Sequence, residues 1–63
     1  MFLEIAKDYY INIDKIYSIE YTGKLVKINM DNNKHYRILK KSSYYSKVIT
    51  KLQLENLPYY NPN

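Results

Sequence analysis

The apolar residues of this chain change their spacing once. Across residues 2–39 they alternate with polar residues, which is the pattern of half-buried β-strands. Across residues 45–52 they recur at i, i+3, i+4 and i+7, which places them on one face of a helix. The order of the two patterns predicts an α+β fold, in which a small antiparallel β-sheet of four to five strands in a meander is followed by one C-terminal α-helix.

Short polar segments divide the alternating region into strands, which we place at residues 2–6, 9–13, 16–21, 24–30 and 35–39. Gly23 is the only glycine, and we expect it to supply the positive φ of a tight two-residue hairpin turn. The second hairpin turn, residues 31–34, is rich in Asn and Asp, which tolerate left-handed backbone conformations. The side chains expected to face the core are those of Tyr9, Ile11, Ile13, Tyr17, Ile19, Tyr21, Val26, Ile28, Met30, Tyr36 and Ile38.

The helical segment has a predicted start and a predicted end. Ser42 or Ser43 can cap its start, because a serine hydroxyl accepts a hydrogen bond from a free backbone N–H. Pro58 ends it, since proline disfavours the helical conformation in the residue before it. We therefore interpret residues 1–57 as one domain and residues 58–63 as an extended C-terminal tail. The apolar face of the helix is formed by Tyr45, Val48, Ile49 and Leu52.

The length of the chain limits what can stabilise it. A domain of 63 residues hides only about 60% of the surface of its unfolded chain. Cysteine is absent and there is one histidine, so we expect no disulfide, metal or other cofactor, and support from a second copy in a homodimer. The sequence has neither an apolar run of about 18 residues nor a signal-peptide pattern. We therefore expect a cytoplasmic protein without membrane contact.

The residues that catalysis requires are sparse. His35 and the serines at positions 42, 43 and 46 could approach one another, but no glycine-rich nucleophile elbow or phosphate loop accompanies them. A solvated histidine beside a basic segment is the ordinary interpretation of His35. We therefore expect the protein not to be an enzyme.

Positive charge is concentrated in the second half of the chain. Residues 32–63 contain six basic residues and one acidic residue, whereas residues 1–31 contain four and five. Basic residues on the last strand, the following turn and the helix could converge on phosphate groups, and tyrosines within the same run could stack on unpaired bases. With a single arginine, such binding would be weakly sequence-specific. The candidate nucleic-acid-binding residues are Lys34, Arg37, Lys40, Lys41, Lys47 and Lys51.

These charges lead to the main functional hypothesis, a small non-enzymatic regulatory module that contacts nucleic acid or a nucleic-acid-bound complex. Two alternatives stay open. Lysine and tyrosine both have A/T-rich codons, so codon usage alone could explain their number. The second alternative is a small protein–protein inhibitor or adaptor, of the kind that phages and mobile elements encode, which acts by covering a partner's surface. Nine tyrosines exceed what this core can bury, and the candidates for protein interaction are Tyr10, Tyr44, Tyr59 and Tyr60.

Two segments resemble a family of DNA-binding domains. FLEIAKDYYINIDKI, residues 2–16, is similar to a characteristic segment of LytTR-type domains, and the run Ile11-Asn12-Ile13-Asp14 followed by Ile16 carries the match. KKSSY, residues 40–44, is loosely similar to the basic turn that opens the last helix of that family, and the looser similarity extends to residue 54. The resemblance implies a β-rich domain that contacts DNA through loops and turns.

The LytTR pattern is incomplete in this chain. Glu4 and Ala6 stand where the family's strand usually presents basic and histidine residues toward DNA. The run Y-x-N-x-D-x-I, residues 10–16, and the C-terminal helix are also similar to short motility proteins of the FlbD/SwrD type.

Overall fold

The computed structural model describes residues 1–54 and 59–60. It confirms the predicted α+β fold: in the described residues, five strands precede one α-helix and a short sixth strand follows it. The predicted end of the helix at residues 56–58, and the predicted tail apart from residues 59–60, lie outside the described residues. The elements in chain order are β1 (Phe2–Ala6), β2 (Tyr9–Asn12), a 3₁₀ turn (Ile13–Lys15), β3 (Ile16–Tyr21), β4 (Leu25–Met30), β5 (His35–Leu39), α1 (Tyr45–Leu54) and the short β6 (Tyr59–Tyr60).

The strands form two sheets rather than one continuous meander. β1 and β2 form an antiparallel hairpin, and a four-stranded sheet has the order β5-β4-β3-β6. β3, β4 and β5 are antiparallel, whereas β6 runs parallel to β3. The 3₁₀ turn separates the sheets, because the Asn12 side chain accepts a hydrogen bond from the backbone N–H of Asp14 at 3.0 Å. This local bond favours a turn over continuation of the strand.

One apolar cluster joins the two sheets and the helix. The hairpin and α1 pack against one face of the four-stranded sheet. The helix contributes Val48 and Leu52 to the cluster. The opposite, outer face of that sheet carries the polar residues of the strand alternation. Burial of this apolar surface is the main stabilising contribution to a domain of this size. The buried residues are Leu3, Ile5, Ile11, Ile13, Ile19, Val26, Ile28, Met30, Ile38, Val48 and Leu52.

Two tyrosines predicted to face the core are exposed. Tyr17 is 73% exposed because the pairing of β3 with β4 shifts between Ile16 and Ser18, and this irregularity breaks the alternation. Tyr9 is 49% exposed, next to a similar shift in the hairpin. Its ring packs edge-on against the ring of Tyr36, with the centroids 5.7 Å apart. The prediction was therefore wrong at these two positions, where the strand pairing is irregular.

Ser42 organises the turn that leads into α1, which begins at Tyr45. The hydroxyl of Ser42 accepts a hydrogen bond from the backbone N–H of Tyr44 at 3.1 Å, and the carbonyl of Ser42 accepts from the N–H of Tyr45 at the same distance. Tyr45 and Ile49 are half-buried against the core, beside Val48. In the described part of the chain, no helix is long and apolar enough to cross a membrane.

The two hairpin turns of the four-stranded sheet differ from each other in their backbone conformation. Gly23 does not adopt the positive φ that we predicted. The hydroxyl of Thr22 closes that turn instead, accepting from the backbone N–H groups of Lys24 at 3.2 Å and Leu25 at 3.1 Å. In the second turn Asn33 has a φ of 69°, as expected for a segment rich in Asn and Asp. The left-handed conformation is therefore required at Asn33 and not at Gly23.

Replacing Gly23 with alanine is expected to raise the free energy of unfolding by about 0.4–1 kcal/mol. Alanine restricts the unfolded chain, and a Cβ at this position meets no atom within 4 Å. Urea denaturation followed by circular dichroism measures the change. The matched control is Asn33→Ala, which places a Cβ without a compensating side chain at positive φ and is expected to cost about 1 kcal/mol. A loss of stability in Gly23→Ala would contradict the turn geometry.

Candidate nucleic-acid interface

The outer face of the four-stranded sheet and its adjoining end carry five basic residues. Val26, Ile28 and Ile38 point into the core, so the residues that alternate with them on β4 and β5 point outward. Four of these five basic residues are exposed, and Lys27 is half-buried. We refer to this surface as the basic sheet face, and it consists of Lys24, Lys27, Arg37, Lys40 and Lys41.

Two like charges lie opposite each other at the centre of the basic sheet face. Lys27 on β4 pairs with Arg37 on β5, and directly opposed side chains in a sheet lie about 5 Å apart at Cβ. Lys27 Nζ is 3.9 Å from Glu20 Oε2, a loose ion pair in which both side chains are about one-third exposed. Asn29 Nδ2 also donates to Glu20 Oε2, at 2.8 Å. Glu20, Lys27 and Arg37 thus follow one another across β3, β4 and β5, one negative and two positive charges.

Three lysines surround a shallow depression at the end of this sheet. Lys24, Lys40 and Lys41 line it together with the exposed side chain of Leu39, and its volume is about 320 Å³. The backbone N–H of Lys40 donates to the carbonyl of Lys24 at 2.8 Å, which holds the β3–β4 turn against the end of β5. Within residues 1–54, no ion pair engages these three ammonium groups. The depression therefore presents three positive charges around an apolar floor.

The structure brings together only half of the predicted basic residues. Arg37, Lys40 and Lys41 lie on the basic sheet face. Lys34 lies in the turn before β5, at the opposite end of that strand from Lys40. The predicted lysines of the helix line a separate cleft, described below. The single patch that we expected is therefore divided.

Two members of the basic sheet face were missed from the sequence. Lys24 and Lys27 belong to the first half of the chain, whose acids outnumber its bases. The signal that identifies them is the hairpin between β4 and β5, because pairing these strands in register places Lys27 opposite Arg37. The same register brings the β3–β4 turn, and with it Lys24, to the end of β5.

A cleft separate from this depression lies between the β1–β2 hairpin and the helix. Phe2 and Tyr10 line it and are 66% and 58% exposed, and Lys47 and Lys51 of α1 line it as well. Its volume is about 320 Å³, and its wall includes Leu3 and Glu4. We refer to it as the aromatic cleft. It combines two exposed rings with two ammonium groups and one carboxylate.

Among the residues that the structure describes, Glu4 is the only acidic one that lines the aromatic cleft. Its Oε2 accepts a hydrogen bond from the backbone N–H of Asp8 at 3.0 Å, and its Oε1 lies 3.3 Å from Lys47 Nζ. The backbone hydrogen bond is the main reason that the pKa of Glu4 is lowered from 4.5, and Lys47 lowers it further. Glu4 is therefore ionised at neutral pH, and it holds Lys47 at the cleft.

The predicted protein-interaction tyrosines are only partly accessible. Tyr10 is exposed at the aromatic cleft, as expected. Tyr44 is instead half-buried against the core, because it immediately precedes the helix. Tyr59 and Tyr60 form β6, and the positions of their side chains lie outside what the structure describes. Phe2 is an exposed aromatic residue that the sequence pattern did not single out.

The two surfaces differ in the groups that they offer to a ligand. His35 is exposed on β5, and within residues 1–54 and 59–60 no three His, Asp or Glu side chains are grouped to hold a metal ion. The basic sheet face offers cations to an anionic ligand, and the aromatic cleft adds flat apolar rings. No protein-family model, curated protein or solved structure matches this chain.

Proposed function

We propose that this protein is a non-enzymatic regulatory module that contacts nucleic acid, or a complex bound to nucleic acid, through the basic sheet face. The supporting observation is the grouping of five cations on the outer side and the adjoining end of the sheet, where Glu20 forms a loose ion pair with Lys27. Cations that neutralise phosphates release condensed counterions, and this release drives most sequence-independent binding. The resemblance to LytTR-type domains adds support for DNA as the ligand.

The pairing of Lys27 with Arg37 supports an anionic ligand in particular. Like charges directly opposed in a sheet destabilise the free protein, and Glu20 offsets this for one of the two. A phosphate placed between the two side chains would turn the repulsion into attraction for both. A protein partner with an acidic segment could do the same, so the test must use nucleic acid directly.

The composition of the face implies contacts to the phosphate backbone rather than to bases. Four of its five cations are lysines, which act as point charges, and only Arg37 has the planar fork that binds guanine with two hydrogen bonds. Phosphate contacts position a protein without reading sequence. We therefore expect weak sequence preference.

The proposal is tested by the salt dependence of binding. Five phosphate contacts predict that log K falls with log salt with a slope of about −3.5 for a single strand and −4.5 for a duplex. Raising the salt from about 50 to 200 mM should therefore weaken binding about 100- to 500-fold. Fluorescence anisotropy with labelled DNA and RNA oligonucleotides measures the slope. Undetectable binding to every oligonucleotide, or affinity that salt does not change, would refute the proposal.

The second candidate function is a small protein–protein inhibitor or adaptor. It is favoured by Phe2, Tyr10 and Tyr17, which are exposed aromatic residues of the kind that anchor protein interfaces. A nuclease-treated pulldown from the native host, with the mass of the complex measured, separates the two functions. Recovery of a stoichiometric protein partner that Tyr10→Ala abolishes would favour this candidate. Light scattering of the free protein would test the proposed homodimer in the same preparation.

A further inference from the structure

The exposed rings of the aromatic cleft are not explained by the basic sheet face. Phe2 and Tyr10 lie on the outer side of the β1–β2 hairpin, where Glu4 pairs opposite Tyr10. The inward residues of the same hairpin, Leu3 and Ile11, already supply its contribution to the core. The two rings are therefore available to a ligand. Rings of this kind have flat apolar faces on which another ring can stack.

The helix brings positive charge to the same cleft. Lys47 and Lys51 are four residues apart on α1, so both side chains lie on the same face of the helix. Both line the cleft, and Lys47 Nζ is 3.3 Å from Glu4 Oε1. Among the described residues, two ammonium groups and one carboxylate line the cleft. A ligand that suits it carries a flat ring and a negative charge.

We infer that the aromatic cleft binds an unpaired nucleotide of a single strand, with its base stacked on Phe2 or Tyr10 and its phosphate near the helix lysines. This inference rests on the proposed function and deepens it, because it makes single-stranded nucleic acid the preferred ligand. Aromatic rings beside a basic groove are the arrangement that single-strand binders use. A duplex cannot enter in this way, since the faces of its bases are stacked on one another.

Glu4 adds a hydrogen-bond acceptor to the wall of the aromatic cleft, and its carboxylate is ionised. The edge of a nucleobase carries N–H donors that this carboxylate can accept, whereas the carboxylate of an acidic peptide carries none. The volume of about 320 Å³ is within the range of clefts that hold small ligands.

The inference is tested by comparing one single-stranded oligonucleotide with its own duplex. We expect the protein to bind the single strand at least about 10-fold more tightly than the duplex. The double variant Phe2→Ala, Tyr10→Ala is expected to lose at least about 10-fold in affinity for the single strand and less than about twofold for the duplex. Tyr17→Ala is the control, because Tyr17 is an exposed aromatic residue, at 73%, that does not line the cleft.

A second double variant separates the effect of losing the aromatic rings from the effect of losing the fold. Phe2→Leu with Tyr10→Leu keeps apolar bulk on the hairpin but removes both aromatic faces, and circular dichroism checks that it folds. Equal affinity of the wild type for the two forms, or full single-strand affinity in the leucine variant, would overturn the inference and leave the proposed function standing. Absence of binding to either form would instead refute the proposed function itself.

Discussion

Replacing Leu52 with alanine is expected to lower the free energy of unfolding by about 2–5 kcal/mol. Leu52 is completely buried in the apolar cluster that α1 shares with both sheets, so the truncation removes apolar contacts and leaves a cavity. A domain of 63 residues has a total stability of only about 3–9 kcal/mol. The variant should therefore lose a large fraction of the stability of the wild type and unfold at a much lower urea concentration.

Urea denaturation followed by far-ultraviolet circular dichroism measures the effect of Leu52→Ala. The matched control is Gln53→Ala, because Gln53 is the next residue of α1 and is exposed. It is expected to change the stability by less than about 0.5 kcal/mol. An unchanged urea midpoint in Leu52→Ala would mean that the helix contributes little to the core.

Reversing the three charges of the sheet-end depression is expected to abolish nucleic-acid binding at moderate salt. In the triple variant Lys24→Glu, Lys40→Glu, Lys41→Glu, three phosphate contacts are lost and three repulsions replace them. The salt slope should become shallower by about 2–3, and the affinity at low salt should fall at least about 100-fold. Fluorescence anisotropy with the same oligonucleotides measures both quantities.

A control variant separates the location of the charges from their number. Lys7→Glu, Lys15→Glu and Lys34→Glu change three exposed lysines that lie outside the basic sheet face. Both triple variants change the formal net charge from +4 to −2, since each reversal removes two charges. The control should retain most of the binding and most of the salt slope. Equal losses in the two variants would mean that net charge alone, and not the basic sheet face, drives binding.

Local patterns predicted most of the secondary structure. The predicted strands at residues 2–6, 16–21 and 35–39 coincide with β1, β3 and β5, because alternation with a half-buried face depends only on neighbouring residues. The spacing of Val48 and Leu52 likewise identified the buried side of α1. The exposure of Tyr17 could not be predicted in this way, since it depends on an irregularity in the pairing of two strands.

The site could be predicted only in part, for a related reason. Charge counts along the chain identified Arg37, Lys40 and Lys41, which are near one another in sequence. The charge counts did not identify Lys24 and Lys27, which lie in the more acidic half of the chain. Strand pairing brings these two residues to the same surface. The charge counts also grouped the helix lysines with this surface, although the helix places them beside Phe2 and Tyr10.

The sequence by itself determined the α+β class, the order of strands and helix, and most of the residues that form the core. These follow from spacing, because a side chain's face is set by the period of its own element. Only the tertiary structure decided how the charges are grouped, which rings are exposed, and that the strands form two sheets. These depend on register and on contacts between distant segments, such as Lys27 with Arg37 and Glu4 with Lys47.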